Sequence, residues 1–101
     1  MGAALVFLEV WPVARAGEKH RVTIEKFAFV PATLTINRGD TVEFVNADPA
    51  PHTATGDGAP WDTGELGKGQ SARIGFKDAG TFPYRCEFHP HMRAAIVVKP
   101  N

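Results

Sequence analysis

The stretch Gly80-Thr81-Phe82-Pro83-Tyr84-Arg85-Cys86-Glu87-Phe88-His89-Pro90-His91-Met92 decides the reading of this chain. In its first half Phe82, Tyr84 and Cys86 alternate with Pro83 and Arg85, the period of a half-buried strand. Its second half breaks that pattern. Pro90 has no N–H to donate and biases His89 towards extended geometry, so neither a ladder nor a helix continues through it. A tight loop therefore leaves the strand at Cys86 and carries a thiol, an imidazole and a thioether at regular spacing: Cys86, His89 and Met92. Because Cys86 is in phase with Phe82 and Tyr84, its sulfur is expected on the core side of the strand.

Outward from this segment, the chain reads as strands and turns. Val22 and Ile24 alternate with Arg21, Thr23 and Glu25, and Ala32, Leu34 and Ile36 alternate with Thr33, Thr35 and Asn37. Asn37-Arg38-Gly39-Asp40 is a turn, after which Val42 and Phe44 resume the pattern. Ala72, Ile74 and Phe76 share one face, and Ala94 to Lys99 is a last run rich in Val and Ile. The middle, from about Gly56 to Gly69, reads as loop around Trp61. No segment sustains a helical period, and eight prolines and ten glycines punctuate the chain. The expected class is all-β, a sandwich or barrel of about seven to eight strands.

Composition narrows the partners. A length of 101 residues suits one domain. The formal net charge is +0, which gives no reason to expect nucleic acid or an anionic membrane as partner. Cys86 is the single cysteine, so no intramolecular disulfide can form. At the N-terminus a short apolar run, Ala3 to Leu8, precedes Ala14-Arg15-Ala16-Gly17, which has the form of a signal-peptidase site. Glu9 interrupts the approach and no basic segment precedes the run, so an edge strand or a loose tail is the competing reading. The run is too short to cross a bilayer. The expected division is a leader or tail over residues 1–16 and a folded domain over 17–101, with a periplasmic location.

The loop chemistry points to a metal. One thiolate, two imidazoles and a weak thioether form the donor set of a blue-copper electron-transfer site, whereas zinc more often recruits further thiolates or a carboxylate. The second imidazole must come from elsewhere, and His52 is the best candidate, because it closes the proline-stiffened segment Asn46-Ala47-Asp48-Pro49-Ala50-Pro51. His20 is expected at the surface. His91 is also expected there, although His89-Pro90-His91 has the spacing of paired copper ligands. Tyr84, two residues before Cys86, has the place of a tyrosine corner.

From Val22 to Val98 the sequence resembles the cupredoxins, and its short Cys-x-x-His-x-x-Met loop is most similar to that of the amicyanin-like members. The resemblance rests on Asn46 ahead of His52, on Trp61-Asp62-Thr63-Gly64, on Gly80 to Cys86 and on the loop closing at Met92-Arg93. It implies a Greek-key β-sandwich with one copper ion held equatorially by His52, Cys86 and His89 and axially by Met92. It also implies that Asn46 hydrogen-bonds across to the loop that carries Cys86. Two positions depart from the pattern: His91 stands where an apolar residue is usual, and Ala94 where glycine often follows. If position 94 needs a positive φ, the exit from the loop must differ here.

Three functions compete. Single-electron transfer is favoured, since four protein ligands leave no open position for a substrate, and an enzyme is not expected. Redox partners are expected to dock transiently on an apolar patch around the edge of His89, with the carrier a monomer. A copper storage or delivery protein is the alternative, but the chain has only two methionines, one of them Met1. An immunoglobulin-like binding module lacks its second cysteine and leaves the His and Met of the loop unexplained.

Overall fold

A computed structural model describes residues 17–100; the expected leader over residues 1–16 lies outside the described residues. The elements are β1 (Lys19–Glu25), β2 (Ala28–Val30), β3 (Thr33–Asn37), β4 (Thr41–Asn46), β5 (Thr55–Gly56), β6 (Ser71–Gly75), β7 (Gly80–Arg85) and β8 (Arg93–Lys99). They form two four-stranded sheets, ordered β2-β1-β4-β6 and β3-β8-β7-β5. No helix occurs among the described residues. The all-β sandwich is thus present, with β2 and β5 the strands that the sequence pattern did not disclose. At three and two residues they are too short to show a period.

The alternation of the strands builds the core. Val22 and Ile24 of β1, Val42 and Phe44 of β4, Tyr84 of β7, and Ile96 and Val98 of β8 are all buried. Between the sheets Phe29, Phe44, Trp61, Phe76, Phe82 and Tyr84 make an aromatic cluster with ring centroids 4.7–5.9 Å apart, mostly tilted or edge-to-face. Such contacts add to the stabilisation that burial alone provides. Trp61 comes from the long loop after β5 and lies so close over Gly56 that a Cβ there would sit 2.7 Å from the indole Nε1. Gly56 is required for that approach. The Tyr84 hydroxyl is buried without a hydrogen-bond partner, so this residue is a packing element and not a tyrosine corner. Burial pushes its phenol well above the ordinary range.

Parallel pairings set the poles of the sandwich. β1 runs parallel to β4 with Ile24 opposite Asn46, so both strands end at one pole. β3 runs parallel to β8, and β7 pairs antiparallel with both β8 and β5. At the opposite end of β1 and β4, Asp40 ties the strand starts together. Its carboxylate accepts from the backbone N–H of Asn37 at 2.9 Å, from that of Glu18 at 3.2 Å and from His20 Nε2 at 2.9 Å. His20 is therefore a partly buried strut and not the free surface residue expected. Glu18, His20 and Asp40 converge closely enough to suggest a cation site, but the donors already named take up the Asp40 oxygens.

Burial pushes the Asp40 carboxyl up, but the hydrogen bonds from His20, Asn37 and Glu18 and the charge of His20 outweigh it and hold it below its ordinary 3.8. A carboxyl depressed in the folded state stabilises above its unfolded pKa, and that contribution is lost as pH falls through the folded value. Asp40→Asn is expected to cost about 1–3 kcal/mol at pH 7, because an amide nitrogen faces one of the backbone donors. Urea unfolding should show the gap between variant and parent shrinking below about pH 4.

Candidate metal centre

The centre lies at the pole where β1, β4 and β7 end. Strand β7 delivers Cys86, and β8 begins directly after Met92. The β7–β8 register pairs Arg85 with Arg93, and the hydrogen bond from Cys86 N–H to the Met92 carbonyl, 3.1 Å, extends it by one step. Cys86 and Met92 thus stand opposite each other and face the same side, as directly paired residues of an antiparallel ladder do. Both are buried. Met92 N–H in turn donates to the His89 carbonyl at 2.8 Å, which tightens the loop around its centre. Ala94 pairs with Tyr84 inside the β7–β8 ladder, and the only non-glycine residues with positive φ among those described are Lys26 and Phe27. Position 94 therefore takes no positive φ here, and alanine is accommodated as an ordinary ladder residue.

His52 arrives from the segment between β4 and β5. Its backbone exchanges two hydrogen bonds with Leu66, at 2.8 and 3.1 Å, and its side chain is fully buried. The β5–β7 pairing, with Thr55 opposite Arg85, carries Thr53 alongside Glu87 and His52 beside the thiol. The donor atoms of His52, Cys86 and His89 lie within 4.8 Å of one another, and Cys86 Sγ is 3.7 Å from Nδ1 of each histidine. Donors that share one first-row ion at bonds of about 2.0–2.3 Å and trigonal angles stand roughly 3.8 Å apart. The spacing fits a single metal ion without rearrangement. A thiolate and two imidazoles with a thioether alongside make the donor set of a type I copper site.

Surrounding groups hold these side chains in place. The Asp48 carboxylate lies 2.8 Å from His52 Nε2. Burial pushes its pKa up, but the backbone N–H groups of Phe27 and Lys26 and the His52 ring outweigh burial and hold Asp48 below the ordinary carboxylate range. An ionised carboxylate can only accept, so Nε2 is the nitrogen placed to donate to it, and Nδ1 is the one that faces the thiol. Thr53 N–H points to Cys86 Sγ at 3.4 Å, a contact that tunes the potential of a metal-bound sulfur. Thr53 Oγ1 accepts from Glu87 N–H at 2.8 Å and so joins the two loops.

Asn46 does not perform that joining. Its side-chain amide donates to the Ala50 and Leu66 carbonyls, and its Oδ1 accepts from Asp48 N–H. It braces the loop that carries His52, and Thr53 makes the link that was expected of Asn46. His91 is exposed, as expected, with its ring edge-on to His89 at 6.2 Å, and it does not join the donor cluster. Asp48, Thr53 and Phe27 escaped the sequence reading. Asp48 carried a usable signal, since a carboxylate four residues before a candidate ligand can reach back to its ring, whereas Phe27 and Thr53 carried none.

Comparison with known proteins agrees with this geometry. The chain is 35% identical over 83 residues to amicyanin of Paracoccus versutus, and 32% identical over 88 residues to amicyanin of Paracoccus denitrificans. Each alignment covers 77% of this chain, and the chain spans only 63% of either relative's length. The crystal structure of amicyanin from Paracoccus versutus superposes with a TM-score of 0.72 at 33% identity, covering 79% of this chain and 80% of that one. The profile of the cupredoxin-like domain matches residues 1–98, and the chain belongs to the cupredoxin-like family.

Proposed function

We propose that this protein carries single electrons between redox partners, with one copper ion held by His52, Cys86 and His89 in the equatorial plane and by Met92 on the axis. When bound, copper supplies a one-electron Cu(II)/Cu(I) couple. The observation that carries this reading is the convergence of three donors from two separate loops, each already fixed by hydrogen bonds to its neighbours. Donors held in this way move little when the charge at their centre changes, so the reorganisation that slows electron transfer stays small. Four side chains fill the positions around the ion and leave none for a substrate, which argues against catalysis at the metal.

The test is the visible spectrum on adding Cu(II) to the apo-protein. An intense thiolate charge-transfer band is expected, bleached by a mild reductant and abolished by Cys86→Ser. Only the faint absorption of ordinary Cu(II) would overturn the reading, and would favour copper storage or delivery instead.

Electrons are proposed to cross at the partly exposed His89. Phe27, whose ring lies 5.0 Å from that of His89, is 49% exposed, and the chain neighbours of His89 are exposed too, Phe88 by 48% and Pro90 beside it; Pro49 and Pro51 are exposed in the segment that carries His52. An apolar patch of this kind suits a small, short-lived interface, with the carrier itself a monomer. A charge placed there should hinder encounter between two carriers. Phe88→Asp is expected to slow electron self-exchange, measured by line broadening in mixed oxidised and reduced samples, by about tenfold, equivalent to ~1.4 kcal/mol. An unchanged rate would move the docking face elsewhere.

Location in the periplasm, with residues 1–16 as a leader, is proposed from the apolar run Ala3 to Leu8 and the Ala14-Arg15-Ala16 site. No helix among the described residues is long and apolar enough to cross a membrane. N-terminal sequencing of the protein from a periplasmic extract should begin at Gly17; retention of Met1 would refute the leader.

A further inference from the structure

The β1–β2 turn holds an unexplained strain. Glu25 pairs with Ala28, so Lys26 and Phe27 are the two turn residues, with φ values of 51° and 57°. Hairpins that need two left-handed residues usually place Asn and Gly there, because a side chain such as phenylalanine is disfavoured in that region. The turn is held by the same carboxylate that contacts the metal centre. Asp48 Oδ1 accepts from Lys26 N–H at 2.7 Å, and Oδ2 accepts from Phe27 N–H at 2.9 Å and from His52 Nε2 at 2.8 Å. The outcome is a specific pose for Phe27. Its ring stands edge-on to His52 at 5.1 Å and to His89 at 5.0 Å, nearly perpendicular to both.

We propose that the Lys26–Phe27 turn is part of the metal centre, with Asp48 the positioning residue that both sets the His52 tautomer and holds Phe27 as a cap over His52 and His89. The two jobs share one carboxylate. The turn supplies two backbone donors that fix the carboxylate, and the fixed carboxylate directs the third donor, the ring of His52. Phe27 in turn covers the two imidazoles from the solvent side. Without it, His89 on its short loop would lose an aromatic contact and gain exposure to water. Strain in the backbone at Phe27 is therefore tied to a function that glycine could not supply. Persistent strain at a functional site is a recognised pattern.

The inference builds on the copper reading, but its first test needs no metal. In the apo-protein at about pH 8, where an ordinary imidazole is neutral, long-range ¹H–¹⁵N correlation should show His52 as the Nε2–H tautomer. In Asp48→Asn the amide group can donate to Nε2, so His52 should turn to Nδ1–H or a mixture. The Lys26 and Phe27 amide protons should also exchange faster with solvent. An unchanged tautomer and unchanged amide exchange would overturn the proposal, whatever the protein does with copper.

Phe27→Gly gives a second reading that does not depend on Asp48→Asn folding well. Glycine relieves the left-handed strain, so unfolding in urea should show no loss of stability. With the Asp48 contacts kept, His52 should retain its tautomer, while the His89 ring resonances shift and broaden. In the copper-loaded protein, each variant should lose the metal to a competing chelator about 10–100-fold more readily, the usual effect of removing an outer partner. A Phe27→Gly protein with parental His89 resonances and parental copper retention would show the ring to be surface decoration and refute the cap.

Discussion

The hydrogen bond from Cys86 N–H to the Met92 carbonyl is the constraint on which the centre depends. It carries the β7–β8 ladder one pair beyond its last strand residues, so a rigid antiparallel register extends into the loop. Sulfur and thioether then face the same side by the geometry of pairing alone, and the residues between them must close in a tight turn. Pro90 suits that turn because it needs no N–H, and the Met92 N–H closes it on the His89 carbonyl. The sheet therefore sets two donors, Cys86 and Met92, and the turn between them sets His89.

The second loop is fixed by different means, and its bonds are mostly made by side chains. Asn46 satisfies the Ala50 carbonyl and the Asp48 amide within its own segment and the Leu66 carbonyl across from it, Leu66 pairs with the backbone of His52, and Thr53 bridges to Glu87. Asn46, His52, Thr53 and Leu66 are all buried. An unpaired polar group there would carry a desolvation penalty, so a loop held by these bonds has little freedom to move. Beneath it the aromatic cluster about Tyr84 and Trp61 fills the sandwich and supplies the platform for both loops. The result is a set of donors each held by its own neighbours.

Much of this was legible in order of residues. The alternation of Phe82, Tyr84 and Cys86 predicted a core-facing thiol, and the break at Pro90 predicted the loop; both follow from local sterics and a two-residue period. The donor types at Cys86, His89 and Met92 indicated the metal by their chemistry. Less legible were the roles that depend on who stands opposite. Asn46 was expected to reach the Cys86 loop, yet Thr53 stands nearer, because the β5–β7 register places it against Glu87. His20 was expected in solvent, yet the parallel pairing of β1 with β4 brings it to Asp40.

What the sequence by itself determined is therefore the local and the chemical: strands by alternation, turns by glycine and proline, and the kind of ion by the softness of the donors. Only the tertiary structure decided that Asp48 would meet His52 and the Lys26–Phe27 turn at once, and that Phe27 would cover two imidazoles. Those contacts join β1 to β4 through a parallel pairing with Ile24 opposite Asn46. Parallel neighbours are joined by long crossovers, and nothing in the spacing of residues along the chain states their register. It is set by which faces bury together, a property of the whole sandwich and not of any segment within it.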